Sequence, residues 1–294
     1  MKIVIADRME EEVVAKIGEL GETIAMPSDL NSVLSDADVL VVRSATKVDN
    51  VLLSYAPKLK VVARAGVGLD NVDKEACEKR GIKVINTPGA SSNSVAELAL
   101  AMLFSFCRKL PYADSTMKAK KWAKKELTGT ELLGKTIGVV GLGRIGSLLA
   151  LKCQALGMNV LYYDPHATSS AVGRSVNLNE IFASSDYISL HVPLIPETKG
   201  MINQECISRM KPNAVIINTA RGGLIDEDAL YNALKEKKIA GAALDVYPVE
   251  PYSGKLCELG NVILTPHIAG STKEAQDRIG EELVEKLKGE MGKI

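Results

Sequence analysis

The stretch Gly141-Leu142-Gly143-Arg144-Ile145-Gly146 (GLGRIG) decides the fold of this chain of 294 residues. An apolar run, Thr136–Val140, precedes it and predicts a buried strand, and a helical pattern over Ser147–Leu156 follows it. A GxGxxG motif between a strand and a helix is typical of the phosphate-binding turn of a dinucleotide-binding unit. The motif therefore predicts that a nucleotide diphosphate binds where this strand ends.

Each glycine of the motif has a physical reason. Gly141 permits the tight turn, Gly143 lets the backbone approach a pyrophosphate, and Gly146 lets helix and strand pack closely. Asp164 ends the next apolar run, at the spacing of a carboxylate that binds the adenine ribose hydroxyls. A 2′-phosphate would be repelled there, so the pattern favours NAD over NADP. The competing interpretation, a tight turn with a surface aspartate, leaves this register unexplained.

Apolar runs alternate with helical stretches along most of the chain, which predicts parallel sheets. Four runs precede the motif region: Lys2–Asp7, Asp38–Ser44, Lys60–Gly66 and Lys83–Thr87. Six more follow: Lys135–Gly141, Asn159–Asp164, Tyr187–Val192, Ala214–Ala220, Ala240–Val246 and Val262–Thr265. We expect an α/β fold with two doubly wound parallel-sheet domains, a Rossmann-type NAD domain and a flavodoxin-like substrate domain.

The expected domain boundaries follow from the same alternation. Residues 1–91 form the substrate-binding domain, which a C-terminal helix over 271–294 completes, and residues 92–270 form the NAD-binding domain. A long helix over Asn93–Arg108 and a lysine-rich surface arm over Met117–Lys125 open the second domain.

Bulk properties exclude several classes of function. Lys plus Arg and Asp plus Glu both total 36, so general attraction to nucleic acid or to an anionic membrane is not expected. The five cysteines show no CxxC spacing, so we expect reduced thiols in a cytoplasmic protein and no metal. The N-terminal residues already predict a strand, so no signal segment is expected.

Three polar residues follow successive apolar runs in the second half: Arg221, Glu250 and His267. Ligands of doubly wound sheets bind at the carboxyl ends of the strands, where these side chains would converge. Oxidation of an alcohol needs a base that titrates near neutral pH, which His267 provides, and Glu250 would orient it. Arg221 can hold a carboxylate by two hydrogen bonds. Each residue taken alone is also compatible with a turn or a structural role.

These motifs resemble those of the D-isomer-specific 2-hydroxyacid dehydrogenase family, over essentially the whole chain. The matching stretches are Gly141–Gly146, His191-Val192-Pro193-Leu194, Asn218–Gly223, Leu244–Tyr247 and Thr265-Pro266-His267. The resemblance implies that Arg221 binds the substrate carboxylate, that Glu250 supports His267, and that His267 is the acid/base. His191 is expected to line the cofactor pocket without being catalytic.

The resemblance also implies which residues contact NAD and substrate. The cofactor residues are Gly141, Gly143, Arg144, Ile145, Gly146, Asp164, His191, Val192, Pro193, Thr198, Thr219, Ala220, Asp245 and Gly270. The substrate residues are Arg43, Ser44, Arg64, Val67, Gly68 and Lys124.

Within the family, the stretches Arg43–Lys47, Arg64–Asn71 and Ser271–Gln276 are similar to those of enzymes that oxidise 3-phospho-D-glycerate. Arg43 and Arg64 would then bind the phosphate, although each could instead cap a neighbouring carbonyl group. The resemblance implies that Lys124 reaches the site of a partner subunit in a homodimer, although a solvated run of charges is the default interpretation of Lys118–Lys125. The resemblance implies a short form without regulatory domains.

Two alternatives to this phosphorylated 2-hydroxy acid substrate stay open. The first is a glyoxylate or hydroxypyruvate reductase, which uses the same chemistry without a phosphate. The second is a non-enzymatic NAD-sensing scaffold, against which the neutral charge argues.

Overall fold

The computed structural model describes residues 1–167 and 169–292. These residues form two compact units. The first unit is Met1–Ser91 together with the segment that begins at Gly270, and the second unit is Ser92–Ala269. Each unit contains one parallel sheet, which confirms the predicted α/β class with two doubly wound sheets.

The first unit has a five-stranded sheet with the order β2-β1-β3-β4-β5, which is the flavodoxin-like order. Its strands are β1 (Lys2–Ile5), β2 (Glu22–Ala25), β3 (Val39–Val42), β4 (Val61–Arg64) and β5 (Lys83–Asn86). Its first helices are α1 (Glu11–Gly18), α2 (Leu30–Leu34), α3 (Asn50–Ser54) and α4 (Lys74–Lys79). The sequence did not predict β2, because this edge strand is only partly buried and lacks a continuous apolar run.

The second unit has a seven-stranded sheet with the order β12-β11-β10-β9-β6-β7-β8. Its strands are β6 (Thr136–Val140), β7 (Asn159–Tyr163), β8 (Arg174–Ser175), β9 (Tyr187–Leu190), β10 (Val215–Asn218), β11 (Gly241–Leu244) and β12 (Val262–Leu264). Its helices are α5 (Ser92–Cys107), α6 (Leu110–Lys118), α7 (Arg144–Ala155), α8 (Leu178–Ser184), α9 (Gln204–Ser208) and α10 (Glu227–Lys235). The six predicted strands are present. The seventh, β8, is a two-residue exposed edge that carries no apolar signal.

Alternation along the strands explains why both faces of each sheet are covered. Val39 and Val41 of β3 pack into one hydrophobic cluster, and Leu40 and Val42 pack into another. Successive side chains of a strand point to opposite faces. Each sheet therefore needs helices on both sides, and all strands pair in parallel.

The last helix, α11 (Lys273–Met291), packs within the first unit. Thr272 caps it, because its hydroxyl accepts a hydrogen bond from the Ala275 amide. Its buried face includes Ile279, Leu283 and Leu287, which join the cluster formed with β1 and α1. The last two residues of the predicted helix, Lys293 and Ile294, lie outside the described residues.

The lysine-rich arm lies on the surface of the second unit, as the sequence predicts. It includes the end of α6 and a 3-10 helix, Lys124–Glu126. Trp122 is 79% exposed. Within residues 1–167 and 169–292, none of the helices has both the length and the apolar character needed to cross a membrane.

Candidate active site

The turn after β6 has the geometry that the GxGxxG motif predicts. Gly141 has φ of +94°, and a side chain there would also press on the backbone of His191, whose carbonyl carbon would lie 2.8 Å from a Cβ atom. A Cβ atom at Gly146 would collide with the carbonyl oxygen of Gly141. Gly143 caps α7 without a side-chain hydrogen bond, so the N-terminus of this helix faces the turn with its backbone amides.

The carboxylate of Asp164 is fixed beside this turn. Its Oδ2 atom accepts a hydrogen bond from the Leu142 amide at 2.7 Å, and its Oδ1 atom accepts one from the His166 amide at 2.8 Å. Each carboxylate oxygen has a second lone pair for a ribose hydroxyl. The negative charge is thereby held close to the glycine turn, where a 2′-phosphate would be repelled.

Two buried polar atoms at the same sheet edge fit a bound dinucleotide. His191 follows β9 and Thr219 follows β10, and these strands are neighbours. His191 Nδ1 and Thr219 Oγ1 are buried and have no hydrogen-bond partner within residues 1–167 and 169–292. Buried polar groups are normally satisfied, so a polar ligand is the expected partner. Together with the glycine turn, these atoms fit NAD.

His191 is poorly suited to acid/base chemistry near neutral pH. Burial lowers the pKa of its imidazole to about 4. Its Nε2 atom lies 2.9 Å from the hydroxyl of Ser189, which is fully buried. A neutral ring in this position agrees with a role in lining the pocket.

The side chains of His267 and Glu250 lie within hydrogen-bonding distance of each other. His267 Nδ1 lies 2.7 Å from Glu250 Oε2, and the other carboxylate oxygen accepts a hydrogen bond from the Tyr247 amide at 3.0 Å. With Nδ1 donating to Glu250, Nε2 of the neutral ring is free to accept a proton. About half of the His267 side chain is exposed, so a substrate can reach it.

Asp245 holds the segment that carries His267. Its side chain is fully buried, and its Oδ1 atom accepts hydrogen bonds from the Thr265 hydroxyl at 2.6 Å and the Ile268 amide at 2.8 Å. Its Oδ2 atom accepts one from the Ala269 amide at 2.8 Å. The predicted contact between Asp245 and the nicotinamide stays a proposal.

Tyr247 also contacts the segment that contains His267. Its ring stacks on Tyr252 with a centroid distance of 4.2 Å, and its hydroxyl donates towards the Thr265 carbonyl at 2.9 Å. Burial raises the pKa of Tyr247 to about 12, so the phenol keeps its proton as a donor.

Arg221 lies in a tight turn next to the loop that leads to Glu250. The side-chain amide of Asn218 closes this turn. Its nitrogen donates to the Arg221 carbonyl at 2.8 Å, and its oxygen accepts from the backbone amide of Ala220 at 3.0 Å. A Cβ atom at Gly222 would collide with the backbone of Tyr247, which explains why glycine is needed there. The Arg221 guanidinium donates to the Ala220 carbonyl at 2.6 Å.

The first unit holds the predicted phosphate residues at the carboxyl ends of its strands. Arg43 directly follows β3, Ser44 is exposed beside it, and Arg64 is the last residue of β4. The Arg64 guanidinium folds against Gly66, where φ is +146° and a Cβ atom would collide with it.

The other predicted residues have varied positions. The side-chain amide of Asn86 donates to the Val67 carbonyl at 2.6 Å and fixes the loop that contains Gly68. Thr198 uses its hydroxyl to hold the loop that begins at Pro193. Gly270 belongs to the first unit, and Lys124 is exposed on the arm of the second unit.

Sequence reasoning missed several supporting residues, among them Asn218, Ser189 and Tyr247. Asn218 and Tyr247 lie inside motifs that were recognised. The bonds of Asn218 to Ala220 and Arg221 are local, whereas the bond of Tyr247 to Thr265 depends on a tertiary contact. Within residues 1–167 and 169–292, no group of three or more His, Cys, Asp or Glu side chains could hold a metal ion.

Replacing Asp164 by Asn should weaken NADH binding about tenfold and reduce the preference for NADH over NADPH, since the ribose loses its charged acceptor and the 2′-phosphate loses a repulsive charge. Fluorescence titration with both nucleotides measures this. Asp186, which accepts a hydrogen bond from the Thr136 amide at the start of β6, offers the control Asp186→Asn, with unchanged affinity. Equal loss of affinity for both nucleotides would contradict the assignment.

The lowered pKa of His191, whose Nδ1 atom is buried, predicts a pH-dependent stability. Between pH 6.5 and 4 the unfolded chain binds a proton that the folded imidazole, with its pKa of about 4, does not, so stability falls as the pH falls. The free energy of unfolding should therefore drop about 3 kcal/mol more in the wild type than in His191→Gln. Urea unfolding at pH 7 and pH 4 measures this drop.

The exposed His166 provides the control for this experiment. The variant His166→Gln should retain the pH dependence of the wild type. If His191→Gln retained it too, the lowered pKa of the His191 imidazole would be refuted.

Residues 100–269 match the family model described as D-isomer specific 2-hydroxyacid dehydrogenase, NAD binding domain. The chain is 47% identical to D-3-phosphoglycerate dehydrogenase of Methanocaldococcus jannaschii, over 98% of this chain and 57% of that protein. It thus spans little more than half of that relative. It is 48% identical to hydroxypyruvate reductase of Thermotoga maritima, over 90% of this chain and 88% of that protein.

A solved structure of D-lactate dehydrogenase from Aquifex aeolicus, complexed with NAD and lactic acid, has the same fold. It superposes with a TM-score of 0.89 at 34% identity, over 99% of this chain and 96% of that one. With the family model matching more than half of its residues, the chain belongs to the D-isomer-specific 2-hydroxyacid dehydrogenase family.

Proposed function

We propose that this protein oxidises 3-phospho-D-glycerate to 3-phosphohydroxypyruvate with NAD. The observation that carries the proposal is the hydrogen bond of 2.7 Å between His267 and Glu250, in the unit that contains the dinucleotide turn. The choice of substrate is supported by the phosphoglycerate dehydrogenase that matches 98% of this chain, and by Arg43 and Arg64 at the strand ends of the first unit. In metabolism, this reaction would open the phosphorylated route to serine.

In the proposed reaction, His267 removes the proton from the substrate hydroxyl through Nε2. Glu250 holds the ring by Nδ1 and stabilises the imidazolium that forms. NAD bound at the glycine turn would supply the acceptor for the hydride that leaves the carbon bearing this hydroxyl. In the reverse direction the protonated His267 donates to the carbonyl oxygen.

Arginine side chains bind the two acidic groups of the substrate. Arg221 holds the carboxylate by its guanidinium group, which presents a planar pair of donors. Arg43 and Arg64 bind the phosphate, and Lys124 supplies a further positive charge to a partner's site. Asp245 and Thr219 line the nicotinamide side.

A hydroxypyruvate reductase is the second candidate. It is favoured by the Thermotoga maritima protein of that name, because this chain covers 88% of its length against 57% of the phosphoglycerate dehydrogenase. This reaction uses the same histidine and glutamate, but its substrate has no phosphate.

Steady-state kinetics with NADH distinguish the candidates. We expect kcat/KM for 3-phosphohydroxypyruvate to exceed that for hydroxypyruvate and for glyoxylate at least tenfold, which corresponds to about 1.4 kcal/mol from the phosphate contacts. Arg43→Ala should remove most of this preference, whereas His267→Ala should lower kcat about 100-fold or more on all three substrates.

Two results would contradict the proposal. A preference for hydroxypyruvate or glyoxylate would favour the reductase. Absence of turnover on every keto acid, with NADH still bound, would favour a scaffold that only senses NAD. His166→Ala serves as the histidine control and should behave as the wild type.

We also propose that the two compact units are the substrate-binding and NAD-binding domains, and that the protein is cytoplasmic. The five cysteines support a reducing compartment, because all are free and Cys77, Cys107 and Cys153 are buried.

A homodimer formed through α5, α6 and the arm completes the proposal. Large apolar side chains are exposed there, including Leu110, Tyr112, Met117 and Trp122. A large cluster of exposed apolar side chains commonly marks a surface that binds another protein.

Sedimentation equilibrium tests the dimer. The double variant Met117→Lys/Trp122→Lys should sediment as a monomer of about 31.5 kDa, the mass of one chain, because charges replace the apolar contact. Val51→Lys changes an equally exposed apolar residue of the first unit and should leave the dimer intact. A wild type that is monomeric, or a variant that remains dimeric, would contradict the assignment.

A further inference from the structure

The carboxylate of Asp7 organises the loop that carries Arg43. Asp7 lies just beyond β1 and is 7% exposed. Its Oδ2 atom accepts hydrogen bonds from the amides of Arg43 at 2.6 Å and Thr46 at 3.2 Å, and its Oδ1 atom accepts one from the Thr46 hydroxyl at 2.6 Å. Burying a carboxylate is costly unless donors satisfy it, so these bonds hold the loop firmly.

Asn71 holds the same loop from its carbonyl groups. Its amide nitrogen donates to the Arg43 carbonyl at 2.8 Å and to the Thr46 carbonyl at 2.6 Å. A parallel bridge between Val48 and Val72 then ends the loop. The backbone amide and the backbone carbonyl of both Arg43 and Thr46 are therefore hydrogen-bonded. The exposed tip of the loop is Ser44-Ala45.

The loop lies where a doubly wound sheet is expected to bind its ligand. In the order β2-β1-β3-β4-β5, β2 lies on one side of β1 and the later strands lie on the other. The direction in which strands are added to the sheet therefore reverses between β1 and β3. Ligands of such sheets bind outside the carboxyl ends of the strands at this point. Asp7 follows β1 and Arg43 follows β3, so both residues occupy it.

A carboxylate beside a phosphate subsite would repel the phosphate if it were exposed. Here Asp7 is buried and both of its oxygens are bonded to the loop residues Arg43 and Thr46, so its role is to fix the loop. The amides of Arg43 and Thr46 are already bonded to Asp7, so neither of them is available to an anion. Arg43 Nη1 also donates to the Arg8 carbonyl at 3.1 Å, and this bond restricts the guanidinium.

We propose that Asp7 and Asn71 are positioning residues for the phosphate of the substrate, which they reach only through the Arg43–Lys47 loop. This inference rests on the proposed oxidation of 3-phospho-D-glycerate. A loop that is fixed before binding loses little conformational entropy when the phosphate binds. We therefore expect Asp7 and Asn71 to lower KM for the phosphorylated substrate.

The test compares two substrates that differ only in the phosphate, 3-phosphohydroxypyruvate and hydroxypyruvate, with NADH. Asp7→Ala and Asn71→Ala should each raise KM for the phosphorylated substrate about tenfold or more, and change KM for hydroxypyruvate less than about twofold. Asp7→Asn should restore nearly normal KM, because its oxygen can accept from both amides and its nitrogen can donate to the Thr46 hydroxyl.

Asp38 provides the matched control, because it lies just before the start of β3 and the Arg43–Lys47 loop follows the end of that strand. It precedes β3, and its carboxylate accepts a hydrogen bond from the Lys2 amide at 3.0 Å. Asp38→Ala should leave both KM values as in the wild type. If circular dichroism shows that Asp7→Ala does not fold, the same kinetic comparison is made with Asn71→Ala and Thr46→Val. These two variants change side chains that are less buried than that of Asp7.

The outcomes separate this inference from the function on which it rests. A wild type without preference for the phosphorylated substrate would overturn the proposed function. A wild type with that preference, lost in Arg43→Ala but kept in Asp7→Ala and Asn71→Ala, would overturn only the positioning role. Equal KM increases on both substrates would also overturn it, since they would reveal a general structural role.

Discussion

The candidate site depends on one buried charge, the carboxylate of Asp245. Its bonds to Thr265, Ile268 and Ala269 all reach the segment that contains His267. Hydrogen bonds to a charged group contribute about 1.5–3 kcal/mol each, and losing one would leave a buried charge with fewer donors. The segment is therefore confined to a single arrangement, in which His267 has φ of +53° and its ring meets Glu250.

The first unit uses the same physical device. Asp7 follows β1 as Asp245 follows β11, and each buried carboxylate collects backbone amides of a loop that follows a neighbouring strand. Parallel sheets make this possible, because the carboxyl ends of their strands meet at one edge. A rigid sheet thereby controls the position of side chains that lie on loops.

Much of this arrangement could be predicted from the sequence, and the reason is local. Buried strands such as β3 and β10 appear as continuous apolar runs, and the glycines of the 141–146 turn form a recognisable local motif with fixed spacing. The pairing of Glu250 with His267 was predicted because both follow strands of one parallel sheet. The edge strands β2 and β8 were missed, because half-exposed residues carry no such run.

The anchoring bonds of Asp7, Asn71 and Asp245 could not be predicted from the sequence. Each joins residues 20 or more positions apart, and any aspartate after a strand has the same local pattern whether it faces water, a ligand or a neighbouring loop. Only the fold decides which of these it meets.

The arm has a consequence for optical work on this protein. Trp122 is the only tryptophan in the chain, and it is 79% exposed. All indole emission therefore comes from one solvated ring, so a shift of its maximum to shorter wavelengths would report any surface that covers the arm. The chain thus carries an intrinsic fluorophore for burial of this region, and no label has to be attached.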